Sequence, residues 1–207
     1  MRTPVHPGKM TRMGDPARSL KPATLEELLA LAGDERGYEL IGGELVQRAM
    51  TSGAHARSVN RLGGRIGDPF DRPPGRRGPG GWWILTDPTV EFSPTEIYRP
   101  DIAGWRRDRV PHAPSEFPVR IRPDWVCEVL SPSNSTNDTI KKRHTYHRCQ
   151  VPHYWILDPM QETLTILRWT PDGYLIAGDA MRGQRLRAEP FEAVEIDLDE
   201  LFGDVAE

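Results

Sequence analysis

Cysteine is scarce: Cys127 and Cys149 are the only two in 207 residues. They are too few for the disulfide framework of a small secreted domain, and both read as reduced thiols of a cytoplasmic protein. Also missing is any apolar run near the ~20 residues that a membrane span requires. Met1 to Lys21 holds basic residues, Pro and Gly but no apolar segment of a secretory signal. That stretch reads as a flexible N-terminal arm, with one domain expected over 22–207. Excess positive charge is lacking too. A net charge of −3 argues against a surface coated in basic residues for tight nonspecific nucleic-acid binding, because that affinity comes from phosphate neutralisation. A local basic groove stays open. What is present, 37% hydrophobic and 28% charged residues, is the composition of a soluble globular protein.

Thr24 and Glu27 have the spacing of a capping box, and Leu25, Leu28, Leu29 and Leu31 predict a first helix from Thr24 to about Ala32. Tyr38–Ile41 and Glu44–Met50 flank Gly42-Gly43, which predicts a β-hairpin. A helix over His55–Ile66 would carry Val59, Leu62 and Ile66 on one face and Arg57, Arg61 and Arg65 on another. The Pro-, Gly- and Arg-rich stretch Asp68–Gly81 predicts a loop, and its Arg72, Arg76 and Arg77, with the helical arginine stripe, are candidates for holding a phosphate backbone. Strands follow at Trp82–Leu85, Thr89–Phe92, Tyr98–Trp105 and, after a Pro- and charge-rich stretch, Trp125–Leu130. The last is apolar enough to be a buried central strand. A turn over Ser131–Asn137 leads to a helix at Thr139–Cys149, then to strands at His153–Leu157 and Leu164–Trp169. Weaker strands are expected at Tyr174–Ala177 and Ala193–Ile196, and a last helical turn at Leu198–Phe202. A helix between two apolar strands implies an α/β or α+β domain with a βαβ crossover.

Within this frame Glu128 stands in the middle of the buried strand, where a carboxylate needs a cation or strong donors. Asp101 heads another apolar strand. Read singly, Asp101 caps a turn after Pro100 and Glu128 pairs with an arginine. Read together, two carboxylates on neighbouring strands with a backbone carbonyl such as that of Val129 form an oxygen half-shell suited to Mg²⁺ or Mn²⁺. Lys142, on the following helix and one turn from Tyr146, is placed to orient water beside such an ion. Lys141 reads as solvent-facing. His144, His147, Cys149 and His153 are poorly spaced for zinc, and neither Ser131 nor Ser133 lies in a nucleophile elbow.

Arg99-Pro100-Asp101-Ile102, Glu128-Val129-Leu130-Ser131-Pro132-Ser133, Lys142 with Tyr146, and Val151-Pro152-His153-Tyr154-Trp155 resemble a widespread bacterial family of restriction-endonuclease-like proteins. That family was long catalogued as a domain of unknown function. The hairpin from Tyr38 to Val46 and the following His55 fit its N-terminal half. The resemblance implies the PD-(D/E)XK superfamily: a restriction-endonuclease-like central mixed sheet flanked by helices, and metal-dependent hydrolysis of DNA phosphodiesters. It implies Asp101 and Glu128 as metal ligands and Lys142 in place of the lysine that the parent motif puts two residues after the glutamate, where this chain has Leu130. It adds Glu44 and His55 as further site residues. The rival from another class is a nuclease fold without cleavage, serving as a DNA-binding or protein-interaction module. A homodimer would suit cutting of both strands, and Trp82 and Trp83, read as exposed, hint at its interface.

Overall fold

A computed structural model of the chain describes residues 21–31, 37–75, 78–131 and 137–203. The expected arm up to Leu20, the end of the first helix at Ala32, Arg76, Arg77, Ser133 and most of the turn after Ser131 lie outside the described residues. Helix α1 (Leu25–Ala30) begins at the capping box: the Thr24 hydroxyl accepts the Glu27 N–H at 3.3 Å, and the Glu27 carboxylate accepts the Thr24 N–H at 2.8 Å. Strands β1 (Tyr38–Ile41) and β2 (Glu44–Gln47) turn at Gly42 and Gly43, whose φ angles of 61° and 80° are the paired positive values a two-residue hairpin loop demands.

Helix α2 (Gly53–Phe70) is capped by Ser52 and is longer than the sequence pattern predicts. Asp68-Pro69 reads as a breaker, yet Phe70 continues the four-residue spacing of Leu62 and Ile66 and buries its ring against Phe191, 4.7 Å between centroids. Packing of that ring outweighs the one backbone donor that Pro69 removes in the last turn. Next come β3 (Trp82–Thr86) and β4 (Val90–Ser93). The single strand expected over Tyr98–Trp105 is two: β5 (Glu96–Tyr98) and β6 (Ile102–Arg106), which belong to different sheets. Pro100 has no N–H to give a ladder, so the chain leaves one sheet there and joins the other.

The buried strand is β7 (Trp125–Val129). A π-helical segment, Asn137–Lys142, runs into α3 (Arg143–Arg148), and β8 (His153–Asp158) follows. Then come β9 (Thr163–Thr170), β10 (Gly173–Met181), β11 (Arg185–Leu186), β12 (Ile196–Asp197) and α4 (Leu198–Phe202). Thus β10 is longer than expected, and the strand sought at Ala193–Ile196 is only its last residue and Asp197, paired with β11.

One six-stranded sheet has the order β10-β9-β8-β7-β6-β3, and a four-stranded sheet has the order β2-β1-β5-β4. In the larger sheet β7 and β8 run parallel across the helical crossover and the other neighbours are antiparallel. This is the expected mixed sheet flanked by helices. Side chains alternate across β7. Trp125, Cys127 and Val129 pack with Leu62 and Ile66 of α2 and Leu198 and Leu201 of α4, while Val126 joins Tyr146 of α3 and Ile41 and Tyr98 of the smaller sheet. Glu128 shares the second face.

Two groups of surface residues depart from expectation. Trp82 is buried among Phe191 and Trp125, and Trp83 donates to the Val110 carbonyl at 2.9 Å beneath the Arg107 guanidinium, so neither marks an exposed interface. The arginine stripe of α2 meets the 195–203 segment. Arg61 donates to the Glu200 carbonyl, Arg65 Nε donates to the Glu195 carbonyl at 2.9 Å, and the Arg57 guanidinium lies against Gly203.

Candidate active site

Backbone register brings the two predicted carboxylates together. Ile102 pairs with Cys127, so one step further along this antiparallel ladder Asp101 falls beside Glu128, on the face opposite Ile102 and Cys127. The Asp101 Oδ2 atom accepts the Val129 N–H at 2.7 Å. Asp101 is 7% exposed and Glu128 2%, a burial that demands compensation by cations or donors.

Lys142 provides it. Its Nζ lies 2.9 Å from Glu39 Oε1 and 3.2 Å from Glu128 Oε1, and the side chain is 3% exposed. One helical turn on, Tyr146 donates its hydroxyl to the same Glu128 oxygen. The four-residue spacing of Lys142 and Tyr146 puts both on the buried face of the crossover helix, while Lys141 is exposed. Burial, and then the Glu128 charge, pushes the Tyr146 hydroxyl well above its ordinary range, so it stays a donor. His55 sits in the first turn of α2, with its N–H on the Ser52 hydroxyl at 3.1 Å and Nε2 3.3 Å from Asp101 Oδ2.

Of the residues predicted, Asp101, Glu128, Val129, Lys142 and His55 line one small polar cavity of about 30 Å³. Glu44 does not join them: it is exposed beside the Gly42-Gly43 turn, on the edge strand β2. The hairpin acid that does is Glu39, 1% exposed on β1, which accepts the Arg99 N–H at 2.6 Å. Its signal was legible, since a carboxylate inside the apolar run Tyr38–Ile41 poses the same question as Glu128. Arg48 is a second residue the sequence reading passed over. Its NH1 donates to Asp87 Oδ1 at 2.9 Å and its NH2 lies 3.6 Å from Asp101 Oδ1. Burial works to lower the Arg48 pKa, but Asp87, Glu39, Asp101 and Glu128 together outweigh it and raise it.

A larger hollow of about 940 Å³ between α2 and residues 193–201 holds none of these groups, so chemistry and not volume marks the site. Among the described residues no three His, Cys, Asp or Glu side chains already surround one point as a metal shell. The donors are nonetheless those of a hard divalent cation: two carboxylates at adjacent register positions, with the main chain of Val129 at the same wall. The buried Nδ1 of His55 has no hydrogen-bond partner, which leaves a polar group at the cavity available to a bound water. The zinc alternative gains nothing, since His147 is committed to the Thr170 carbonyl at 2.8 Å.

A mixed sheet that presents an aspartate and a glutamate from neighbouring strands, and a lysine from the crossover helix, defines a restriction-endonuclease-like α/β protein. The chain belongs to the Uma2 family, described as "Putative restriction endonuclease", whose model matches residues 25–199. A crystal structure from Anabaena variabilis, of a protein described as "a putative nuclease belonging to DUF820", has the same fold. It matches with a TM-score of 0.66 and 23% identity over 87% of this chain and 98% of that one. No curated protein matches the chain.

Proposed function

We propose that this chain is a metal-dependent endonuclease of the PD-(D/E)XK kind, hydrolysing phosphodiester bonds in DNA, with Asp101, Glu128 and Lys142 as its core. The observation that carries this is the adjacency of two buried carboxylates whose shared wall also receives a buried lysine. Asp101, Glu128 and the main-chain carbonyl of Val129 would hold Mg²⁺ or Mn²⁺. Such an ion, when bound, lowers the pKa of water and neutralises charge on the phosphoryl group.

The chain's own residues do the rest. Lys142 has an acid on either side and therefore serves as a donor, not a base. It orients the attacking water and stabilises negative charge as the water oxygen bonds to phosphorus and gives up its proton to solvent, while the bond to the leaving oxygen breaks and that oxygen takes a proton from solvent. Tyr146 and Lys142 both bond Glu128 Oε1, which fixes that carboxylate's rotamer. His55 and the Val129 N–H hold Asp101 through Oδ2. Glu39, in the position expected of Glu44, steers Lys142. The two free thiols, Cys127 and Cys149, suit a reducing compartment such as the cytoplasm, and no described helix is long and apolar enough to cross a membrane.

The test is nicking of supercoiled DNA with Mg²⁺ or Mn²⁺ by the wild type and by Glu128→Gln, which keeps the side-chain shape. Cleavage by the wild type and a loss on the order of 10²-fold or more in the variant is the expected result. The variant should also lose the thermal stabilisation that Mn²⁺ gives the wild type by mass action. A wild type that cuts neither duplex nor single-stranded DNA would overturn the proposal in favour of a binding module.

A further inference from the structure

Resting on the nuclease reading, the structure assigns Arg48 a coupling role: we infer that it occupies Asp101 until a phosphodiester oxygen takes its guanidinium, so that cation and nucleic acid bind cooperatively. Arg48 follows β2 directly and continues the hairpin, its N–H bonding the Gly37 carbonyl at 3.1 Å. Its side chain, 21% exposed, reaches from the surface acid Asp87 (44% exposed) inward to Asp101 (9%). The two ends are unequal. NH1 makes a full hydrogen bond to Asp87 at 2.9 Å and NH2 donates to the Arg99 carbonyl at 3.3 Å, whereas NH2 stands 3.6 Å from Asp101 Oδ1, an ion pair too long to be a hydrogen bond. The contacts to Asp87 and the Arg99 carbonyl are therefore the anchors, and the one to Asp101 is the contact most easily exchanged.

Charge makes the exchange consequential. The cavity gathers Glu39, Asp101 and Glu128 against Lys142 and Arg48, so three negative groups face two positive ones. Lys142 is committed to Glu39 and Glu128, which leaves Arg48 as the cation that opposes a divalent ion at Asp101. A guanidinium binds phosphate through two parallel N–H donors. When a phosphodiester takes that edge, Asp101 is released to a metal, and each ligand raises the affinity for the other by the same factor.

In the variant Arg48→Met, Asp87 keeps Arg99, and Asp101 keeps the Val129 N–H at 2.7 Å and His55. Calorimetric titration with Mn²⁺ is performed on the wild type, on Arg48→Met and on Arg99→Met, each alone and with a phosphorothioate oligodeoxynucleotide. Without oligonucleotide, Arg48→Met should bind Mn²⁺ on the order of tenfold tighter than the wild type, and Arg99→Met, which touches Asp87 but not Asp101, should match the wild type. The oligonucleotide should tighten Mn²⁺ binding of the wild type by a larger factor than that of Arg48→Met. Equal or weaker Mn²⁺ binding by Arg48→Met, or an unchanged coupling factor, overturns the role of Arg48. A wild type that binds neither Mn²⁺ nor the oligonucleotide overturns the nuclease reading beneath it.

Discussion

Lys142 is buried between Glu39 and Glu128, and what it contributes depends on what remains when it is removed. Deleting one partner of a buried ion pair costs about 3–5 kcal/mol because a lone charge is stranded, whereas deleting both can be nearly neutral. Lys142→Met should therefore destabilise the protein by that amount in urea unfolding, and Lys142→Met combined with Glu39→Gln by clearly less than the sum of the two singles. Additive losses would mean that the 2.9 Å contact between them carries no energy. His153 illustrates the opposite balance. Burial holds its pKa below the ordinary 6.5, and Glu189, 3.9 Å away and beyond hydrogen-bond reach, opposes that shift without reversing it. A depressed folded-state pKa means that the unfolded chain takes up a proton first, so this contribution is present above pH ~6.5 and is lost as the pH falls below it. Between pH 7.5 and 5 the wild type should lose more stability than His153→Gln. An equal loss would place the acid sensitivity elsewhere.

At the scale of elements, α2 is tied to the segment 195–203. Leu62 and Ile66 fill the core face, while Arg61 and Arg65 cap carbonyls of Glu200 and Glu195. A solvent-exposed hydrogen bond of this kind contributes about 0.5–1.5 kcal/mol. Arg65→Ala should lower the thermal midpoint accordingly while leaving the salt dependence of DNA binding unchanged. A flatter salt slope would restore these arginines to phosphate binding. Periodicity locates the middle of this helix but not its last turn, and an exposed arginine stripe looks the same in sequence whether it meets solvent, phosphate or a carbonyl. The break between β5 and β6 was hidden for a related reason. Tyr98 to Trp105 is apolar throughout apart from Arg99 and Asp101, and only pairing partners distant in sequence reveal that Pro100 separates two sheets.

For the whole molecule, the site exists because three parts of the chain meet: the hairpin with Glu39 and Arg48, the β6–β7 pair with Asp101 and Glu128, and the crossover helix with Lys142 and Tyr146. Residues whose burial conflicted with their charge, Glu128 above all, were legible in the sequence because such a conflict needs a partner. Lys142 was legible from its four-residue step to Tyr146. Glu39 was displaced by Glu44, since the hairpin pattern does not say which of its strands will be covered on both sides, and β1 is flanked by β2 and β5 while β2 is an edge. Arg48 follows the hairpin's last paired residue and gains its meaning only from Asp87 and Asp101, far along the chain.

The central claim, that this junction is a hydrolytic centre in which Lys142 acts on the reacting atoms, is tested most directly by DNA cleavage rates of wild type, Lys142→Met and Lys141→Met. All are measured at one salt concentration with Mn²⁺, at a temperature where unfolding curves show each to be native. Lys141 is exposed and Lys142 is 3% exposed, so the neighbours differ in position and not in charge. The account predicts a loss on the order of 10²-fold or more for Lys142→Met, with Lys141→Met close to wild type. Equal rates for the two variants would contradict it.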